Sequence, residues 1–387
     1  MVGLMKPIRR VVTGNNEQGK TKVVWDGPAP DVHESNLPGR GFTNMWVWDR
    51  TPAPLAGTTD DGSMPYVFPA PENGTHCRVI QAVAKPANYD PAKDPDNMPA
   101  HEIKTRTGGR AWDRGGNNAF TSAMHKTQSI DYGIVLSGER EMLLDDGKLL
   151  LNQGDIVIQV GAWHQWIHPR LDCQMAFDMI PAQFVDGPVG LAQGNDKPMR
   201  ADPARKLPAG VKPVRRVVTI DREPGKSSLV SDGPTPDVRF DPARPGFAAS
   251  RLWVIDSAPA KIVYETLHLA HTIEPPARGS VCRVYNIPPD DSWKGKVGST
   301  QVQAYFSAMG SPGASSYSPQ APHPYMEKTR TLDYCLVLGG EIVLVLDTQE
   351  VSLKQGDVAI LRGANHAWSN RSTNPAIVAV CSHDGAW

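Results

Sequence analysis

The sequence contains few cysteines, their number is odd, and no two of them have the spacing of a paired motif. Five occur among 387 residues, and none belongs to a C-x-x-C motif. So few unpaired cysteines argue against a disulfide scaffold and a structural zinc site, and they favour a reducing compartment. We therefore predict a cytoplasmic protein, and we interpret Cys77 and Cys282, which lie in matching contexts, as small core residues.

The chain also lacks an excess of charge and a long apolar run. Its 40 basic and 41 acidic residues leave a formal net charge of −1, which gives no reason to expect a nucleic-acid partner. No apolar run approaches the length of a membrane span, and the opening MVGLMKPIRR lacks the apolar core of a signal peptide, so we expect no membrane partner. Phosphate-binding loops, dinucleotide fingerprints and nucleophile elbows are also missing.

What the sequence does contain is a long internal repeat. RRVVTGNNEQGKTKVVWDGPAPDV at 9–32 matches RRVVTIDREPGKSSLVSDGPTPDV at 215–238. MHKTQSIDYGIVLSGE at 124–139 returns as MEKTRTLDYCLVLGGE at 326–341. A third pair of matching segments lies at 154–168 and 356–370. A repeat of this length is far too long for a solenoid unit and indicates two similar domains.

We place these domains at residues 1–200 and 201–387, with the seam in the Pro-rich stretch 194–210. Within each, short apolar runs such as IDYGIVLSG and DIVIQVG alternate with Gly and Asp-Gly turns every eight to ten residues. This rhythm predicts an all-β fold, either sandwich or barrel, with few short helices. The polar stretches 86–121 and 289–324 are predicted to be long loops or lids.

The repeated motifs resemble those of the cupin superfamily of RmlC-like jelly-roll barrels. The usual first motif is His-x-His, a Glu and then a Gly, and the second is a Gly-rich turn that ends in a third His. Here the second His of the first motif is a Thr and the Glu is an Asp. The matching residues are His125, Thr127, Asp131, Gly138 and His164 in the first copy and Glu327, Thr329, Asp333 and His366 in the second. The resemblance implies two cupin barrels in one chain, a bicupin with degenerate metal motifs.

The first copy retains a set of residues that could bind metal. His125, Thr127 and Asp131 are separated by even numbers of residues, so on one strand they face the same side. Two imidazoles and a carboxylate, from His125, His164 and Asp131, suit Fe, Mn, Ni or Zn. The survival of Thr and Asp in both copies favours the alternative that these two organise the strand. A barrel without metal is equally compatible with the motif.

Several neighbours of the motif residues are candidates for a substrate pocket. They are Thr127, Trp163 and Trp166 in the first copy and Glu327 and His366 in the second. Aromatic side chains beside the motif histidines suit a flat, apolar small molecule, although such residues more often pack in the core. His168 is interpreted as a rim or surface residue, whereas His323 and Tyr325, which flank Glu327, could compensate for the histidine that the second copy lacks.

Three functions remain open. The first is a metal-dependent dioxygenase or decarboxylase that acts in the first barrel on a small aromatic, diketone or carboxylate substrate. The second is a metal-free isomerase, cyclase or lyase that uses His125 and His164 as acid and base. The third is a non-catalytic protein that binds or stores a small ligand. A homodimer is compatible with each of them.

Overall fold

The computed structural model describes residues 5–57, 60–65, 68–167, 170–194 and 197–387. Strands dominate these residues, as the sequence predicts. In the first half the strands are β1 (Arg9–Asn15), β2 (Thr21–Pro28), β3 (Asp31–Glu34), β4 (Gly41–Trp48), β5 (Ala53–Pro54), β6 (Thr75–Ala82), β7 (Ala100–Thr105), β8 (Ala111–Gly115), β9 (His125–Thr127), β10 (Ser129–Ser137), β11 (Glu139–Leu144), β12 (Gly147–Asn152), β13 (Ile156–Val160), β14 (Gln165–Ile167) and β15 (Cys173–Pro181).

The second half adds eleven strands and one α-helix, α1 (Ser299–Ala308). A few short 3-10 turns accompany them. The strands are β16 (Arg215–Glu223), β17 (Lys226–Pro234), β18 (Asp237–Phe240), β19 (Ala248–Ile255), β20 (Ser280–Ile287), β21 (Thr331–Gly339), β22 (Glu341–Leu346), β23 (Glu350–Lys354), β24 (Val358–Arg362), β25 (His366–Ser369) and β26 (Ala376–Ala386). No helix among the described residues is both long and apolar enough to cross a bilayer.

The two large sheets have matching strand orders. One runs β17-β16-β13-β10-β15-β6-β4-β3, and the other runs β2-β1-β24-β21-β26-β20-β19-β18. Each is closed into a barrel by a three-stranded sheet, β12-β11-β14 in the first and β23-β22-β25 in the second. The all-β fold with two cupin-type barrels is therefore confirmed.

The strand pairing crosses the predicted boundary between the halves. β1 from the first half lies parallel to β24 in the second barrel, and β16 from the second half lies parallel to β13 in the first. Each N-terminal arm thus completes the main sheet of the other barrel. The boundary at residue 200 stays a prediction about sequence units, because the barrels exchange strands across it.

An arginine at the start of each arm fastens the exchange. Arg9 Nε lies 2.8 Å from Asp26 and its Nη1 lies 3.0 Å from Asp357 across the barrels. Arg215 repeats the contact, 2.7 Å from Asp232 and 2.6 Å from Asp155. Asp155 and Asp357 directly follow the first glycine of each second motif. The aspartate that follows this glycine therefore holds the exchanged arm in each barrel.

The main sheets are buried on both faces. On β10, Ile130, Tyr132 and Ile134 face a core cluster that both halves share, and Val135 faces the interior of the first barrel. Because both faces of such a strand are buried, its sequence is a nearly continuous apolar run and not an alternation of apolar and polar residues. In this shared core, Tyr132 Oη of the first half also lies 2.7 Å from Ser280 Oγ of the second half.

The predicted loops were wrong in both halves. Segment 86–121 contains β7 and β8, which pair with β9 in a small sheet of their own. Segment 289–324 contains α1 instead, so the two barrels carry different structures at the same place in the repeat. Their polar composition concealed these elements, since β7 has no buried residue and α1 buries only Val302, Tyr305 and Phe306.

The exchange predicts that the two halves do not fold separately. Residues 1–200 alone lack β16 beside β13, and residues 201–387 alone lack β1 beside β24, so each half exposes an apolar strand edge. We expect each half alone to aggregate or unfold, and the co-expressed halves to form one stable heterodimer. Size-exclusion chromatography and circular dichroism measure this. Separate halves that unfold cooperatively at the temperature of the intact chain would refute the exchange.

Candidate functional site

His125 and His164 meet at one end of the first barrel. His125 opens β9, and His164 immediately precedes β14. Their backbones exchange two hydrogen bonds of 2.9 Å each, and their ring centroids lie 4.3 Å apart. His164 is buried and His125 is half-buried. The structure thus brings together the two histidines that the sequence motifs predicted.

A glycine turn delivers His164 to this position. Gly161 has a φ of 57°, which a residue with a side chain adopts only at a cost. A Cβ there would also lie 2.7 Å from the ring of Phe184. Gly363 has the same φ before His366 in the second barrel. Backbone geometry therefore requires the glycine that precedes the histidine of each second motif, Gly161 in the first barrel and Gly363 in the second.

Both imidazoles are held in the same tautomer. Nδ1 of His125 lies 2.8 Å from the carbonyl oxygen of Ala123, and Nδ1 of His164 lies 2.9 Å from that of Ala162. A carbonyl only accepts, so each Nδ1 carries the proton and donates it. Each Nε2 then keeps its lone pair, which is the state in which histidine binds a metal ion.

Burial keeps both rings neutral. It lowers the pKa of His125 well below the usual value, and the charges of His164 and Arg106 lower that pKa further. Burial also lowers the pKa of His164 to about 4, although the bond to the Ala162 carbonyl opposes the shift. At neutral pH both residues are good ligands, and both are weak bases because their pKa values lie far below 7.

Thr127, at the end of β9, and Asp131, on β10, belong to a polar ladder that runs from one strand to the next. Thr127 Oγ1 lies 2.8 Å from Ser129 Oγ, and Ser129 in turn bonds Asp131. Burial raises the pKa of Asp131 to about 7; the bond from Ser129 opposes this, and the charge of Asp178 adds to it. One carboxylate oxygen of Asp131 is buried without a hydrogen-bond partner. These contacts agree with the organising role that the sequence suggested as an alternative.

Among the residues that the structure describes, no group of three or more His, Cys, Asp or Glu side chains lies close enough to hold a metal ion. Asp131 is therefore not brought to His125 and His164 as a third ligand. The two imidazoles with open Nε2 atoms fit a divalent first-row metal as two of its ligands. The set of three ligands that the sequence predicts is therefore not assembled among these residues, because Asp131 is bonded to Ser129 instead.

The two tryptophans beside His164 have different surroundings. Trp166 packs edge-on against His164 at 5.6 Å and against Phe177 at 5.5 Å, and it belongs to the core of the first barrel. The guanidinium of Arg140, also buried, lies 5.7 Å from the Trp166 ring. Trp163 is fully buried under the guanidinium of Arg114, 4.9 Å from its ring. Trp166 is the one of the two that contacts a site histidine.

An ion pair from the exchanged arm supports both motifs. Lys126 Nζ lies 2.6 Å from Asp221 Oδ2 on β16, and the two side chains are 0% and 1% exposed. The other carboxylate oxygen of Asp221 accepts the backbone N–H of Trp163 at 3.0 Å. Lys126 follows His125 and Trp163 precedes His164, so one residue of the second half fixes both histidine segments. Sequence reasoning missed Asp221 because it lies 95 residues from Lys126.

The second barrel keeps the same backbone arrangement with different side chains. Glu327 and His366 exchange backbone bonds of 2.7 and 2.9 Å, and Glu327 Oε1 lies 3.4 Å from His366 Nε2. The nitrogen that is open in the first barrel thus faces a carboxylate here. Thr329, Thr331 and Asp333 repeat the polar ladder, with distances of 2.6 and 2.9 Å.

The other histidines near the motifs do not join either site. His323 Nδ1 accepts the backbone N–H of Tyr325, and its Nε2 lies 3.8 Å from Asp290. The ring packs on Trp293. It therefore does not replace the histidine that Glu327 displaces. His168 lies outside the described residues.

No profile of a known protein family matches the chain. Three fungal proteins are similar over short stretches. Phomopsin biosynthesis cluster protein C' of Diaporthe leptostromiformis is 58% identical over 48 residues, which are 12% of this chain and 25% of that protein. The cupin-domain-containing oxidoreductase virC of Hypocrea virens is 46% identical over 46 residues, 12% of this chain and 24% of that protein. The cupin-domain-containing oxidoreductase srdD of Neurospora crassa is 33% identical over 120 residues, 27% of this chain and 60% of that protein.

The chain resembles cupin-domain proteins. Its two jelly-roll barrels carry the motif residues at equivalent places, and two of the relatives are named for a cupin domain. The chain nevertheless spans only a quarter to three-fifths of the length of these relatives.

Solved structures similar to this chain include protein Ylba from E. coli, at a TM-score of 0.38 and 11% identity over 91% of this chain and 86% of that one. Another is the salicylate 1,2-dioxygenase of Pseudoaminobacter salicylatoxidans with gentisate, at a TM-score of 0.33 and 10% identity over 85% of this chain and 72% of that one.

The buried ion pair gives a prediction about stability. Lys126→Met leaves the Asp221 carboxylate buried without its partner, and we expect a loss of about 3–5 kcal/mol in the free energy of unfolding. The double variant Lys126→Met/Asp221→Asn removes both charges and keeps an acceptor for Trp163. Its loss should be smaller than the sum of the two single losses. Chemical denaturation of the four proteins measures this coupling.

A matched lysine provides the control. Lys226 pairs with Glu223 at 2.7 Å on the surface, where both side chains are more than 60% exposed. Lys226→Met should leave the unfolding transition unchanged, because exposed pairs contribute little. Equal effects of Lys126→Met and Lys226→Met would contradict the assigned role of the buried pair.

Proposed function

We propose that this protein is a small-molecule enzyme whose active site is the His125–His164 pair of the first barrel. The observation that carries the proposal is the shared tautomer, since both Nδ1 atoms donate to backbone carbonyls and both Nε2 atoms stay open. A merely structural pair does not require two neutral imidazoles, one buried and one half-buried, with unused lone pairs. The second barrel, where a carboxylate faces the same nitrogen, provides the contrast.

In this proposal His125 and His164 hold a divalent first-row metal ion, such as Fe, Mn, Ni or Zn. When bound, such an ion supplies Lewis acidity and, for a redox-active metal, one-electron chemistry toward dioxygen. The remaining positions are open to water and to the substrate. The names of two relatives as cupin-domain-containing oxidoreductases support an oxidative reaction.

The chain itself binds and orients the substrate. Trp166 and Phe177 offer apolar faces for a flat molecule, and they exclude water from the space beside His164. Arg140 lies inside the barrel, and burial lowers its pKa to about 10, so it stays charged at neutral pH. It therefore pairs with an anionic oxygen. An aromatic, diketone or carboxylate substrate meets these requirements.

A second candidate is metal-free proton transfer by the same two histidines, as in an isomerase, cyclase or lyase. The observation that favours it is the lack of a third ligand among the described residues. The low pKa values argue against it, because a base that loses its proton near pH 4 accepts protons weakly at pH 7. The ligand role is thus the better supported of the two.

Metal binding by matched variants separates these candidates. Protein stripped with a chelator and reloaded in turn with Fe, Mn, Ni and Zn should bind one ion per chain with one of them. Metal at a hundredfold excess over its dissociation constant should stabilise the protein by about 2.7 kcal/mol. Elemental analysis and thermal melts are the measurements. His125→Gln and His164→Gln should each abolish both effects, because each removes one of only two imidazoles.

His366→Gln is the control, because it changes the equivalent residue of the second barrel. It should leave metal content and the metal-dependent rise in melting temperature as in the parent chain. An absence of bound metal together with no thermal shift for any ion would overturn the metal proposal. Loss of metal binding in His366→Gln, with binding retained in His125→Gln and His164→Gln, would place the ion in the second barrel and contradict the proposal.

A further inference from the structure

A groove lies where the two barrels meet, and its described lining residues include none of the motif histidines. Water-sized molecules can occupy about 380 Å³ of it, a size at which pockets bind small ligands. Residues 153–155 of the first barrel form one side, and residues of β20, β21 and β26 of the second barrel form the other. The arm residues 212–215 also line it. Because both halves supply walls, the groove is a property of the full chain.

The internal repeat shows why there is space at this place. In the second half, Asn286 on β20 lies opposite Ile377 on β26. The same ladder position in the first half holds Gln81 and Gln174, whose side-chain amides bond each other at 2.8 Å. Gln81 Oε1 also accepts the backbone N–H of Lys6 at 3.2 Å. A shorter amide and an apolar side chain therefore stand in the second half where the first half has a polar network.

A glycine widens the groove further. Gly339 on β21 lies opposite Ile377, where the first half has Ser137 opposite Gln174. A Cβ at Gly339 would lie 3.9 Å from Cγ1 of Ile377, which is an ordinary van der Waals distance. Both residues line the groove. Packing therefore does not require a glycine here, and a longer side chain at this position would take up space in the groove.

The wall on the side of the second barrel combines apolar side chains with one hydroxyl. Val284, Leu338 and Ile377 supply the apolar surface. Ser250, which also lines the groove, lies opposite Val284 across the β19–β20 ladder and is only 3% exposed. Among the described residues, no group forms a hydrogen bond with its hydroxyl. A buried hydroxyl without a partner is costly, so a ligand that bonds Ser250 is favoured.

The rim of the groove carries a lysine without a partner. Arg215 and Asp155 also lie on the rim, but they bond each other at 2.6 Å and their charges compensate. Lys212 is exposed, and within the described part of the chain it forms no ion pair. Its ammonium favours an anionic group on the ligand. The contribution of such an exposed charge is small and is screened by salt.

We propose that this groove binds a small aliphatic hydroxy acid. Its hydrocarbon part lies on the apolar wall that includes Ile377, its hydroxyl bonds Ser250, and its carboxylate faces Lys212. The site uses no metal ion and does not depend on the motif histidines. The second half thus forms a ligand site at the junction of the barrels, at the place where the first half has the bond between Gln81 and Gln174.

Ligand-detected NMR titration of the full chain with 2-hydroxy-4-methylpentanoate tests the proposal. The analogue 4-methylpentanoate lacks the hydroxyl, and 2-hydroxy-4-methylpentanamide lacks the charge. We expect the hydroxy acid to saturate one site per chain. The analogue without the hydroxyl should bind about three- to tenfold more weakly, because it loses a hydrogen bond. The amide should bind about two- to fivefold more weakly, and this difference should shrink at high salt.

Two variants locate the binding in the groove. Gly339→Leu places a side chain where a Cβ fits without a clash, so the melting temperature should not change. Affinity for the hydroxy acid should fall at least about tenfold, because the leucine takes the space of the ligand. Ser250→Ala should weaken the hydroxy acid about three- to tenfold and leave 4-methylpentanoate unaffected. Ser250→Ala provides the decisive result if Gly339→Leu does not fold.

The repeat supplies a matched control for the charge. Lys212→Gln should weaken the hydroxy acid about two- to fivefold, whereas Lys6→Gln, at the equivalent position of the first half, should leave its affinity unchanged. His125→Gln should also leave it unchanged, which separates this proposal from that for the first barrel. No saturable binding of the hydroxy acid, an unchanged affinity in Gly339→Leu, or an equal affinity for 4-methylpentanoate would each overturn the proposal.

Discussion

The exchange of N-terminal arms is the constraint on which the rest of this structure depends. β1 and β16 each complete the main sheet of the opposite barrel, and Arg9 and Arg215 fasten them through paired carboxylates. The two barrels therefore exchange strands, and they also share one apolar core. A chain built in this way folds as one unit, because neither sheet is complete without residues from both halves.

The same exchange assembles the candidate active site. Asp221 arrives on an arm strand of the second half, pairs with Lys126 and holds the backbone of Trp163. These contacts fix the segments that carry His125 and His164. An ion pair buried to this degree must overcome the loss of hydration of both charges, so its main contribution is a fixed geometry rather than a large gain in stability. The second half thus supports the first barrel even where its own motif has diverged.

The sequence was sufficient for the fold and for the pairing of His125 with His164, because the repeated motifs report local turns and strand faces. It did not reveal Asp221 or the bond between Gln81 and Gln174, since these contacts join segments that are distant in the chain. Nor did it show that Asp131 is tied to Ser129 rather than brought to the histidines. Parity along a strand predicts which face a residue occupies, but the chain passes from one sheet to another between β9 and β10.

His125 and His164 form a neutral pair with open Nε2 atoms, and the proposed metal site depends on this state. Long-range proton–nitrogen NMR on metal-free protein with ¹⁵N-labelled histidine reports the tautomer and charge of each ring directly. We expect both residues to carry their proton on Nδ1 and to stay uncharged at about pH 6.5, where an ordinary imidazole is half protonated, because burial lowers both pKa values. A proton on Nε2 of either ring, or protonation of either ring near pH 6.5, would contradict it.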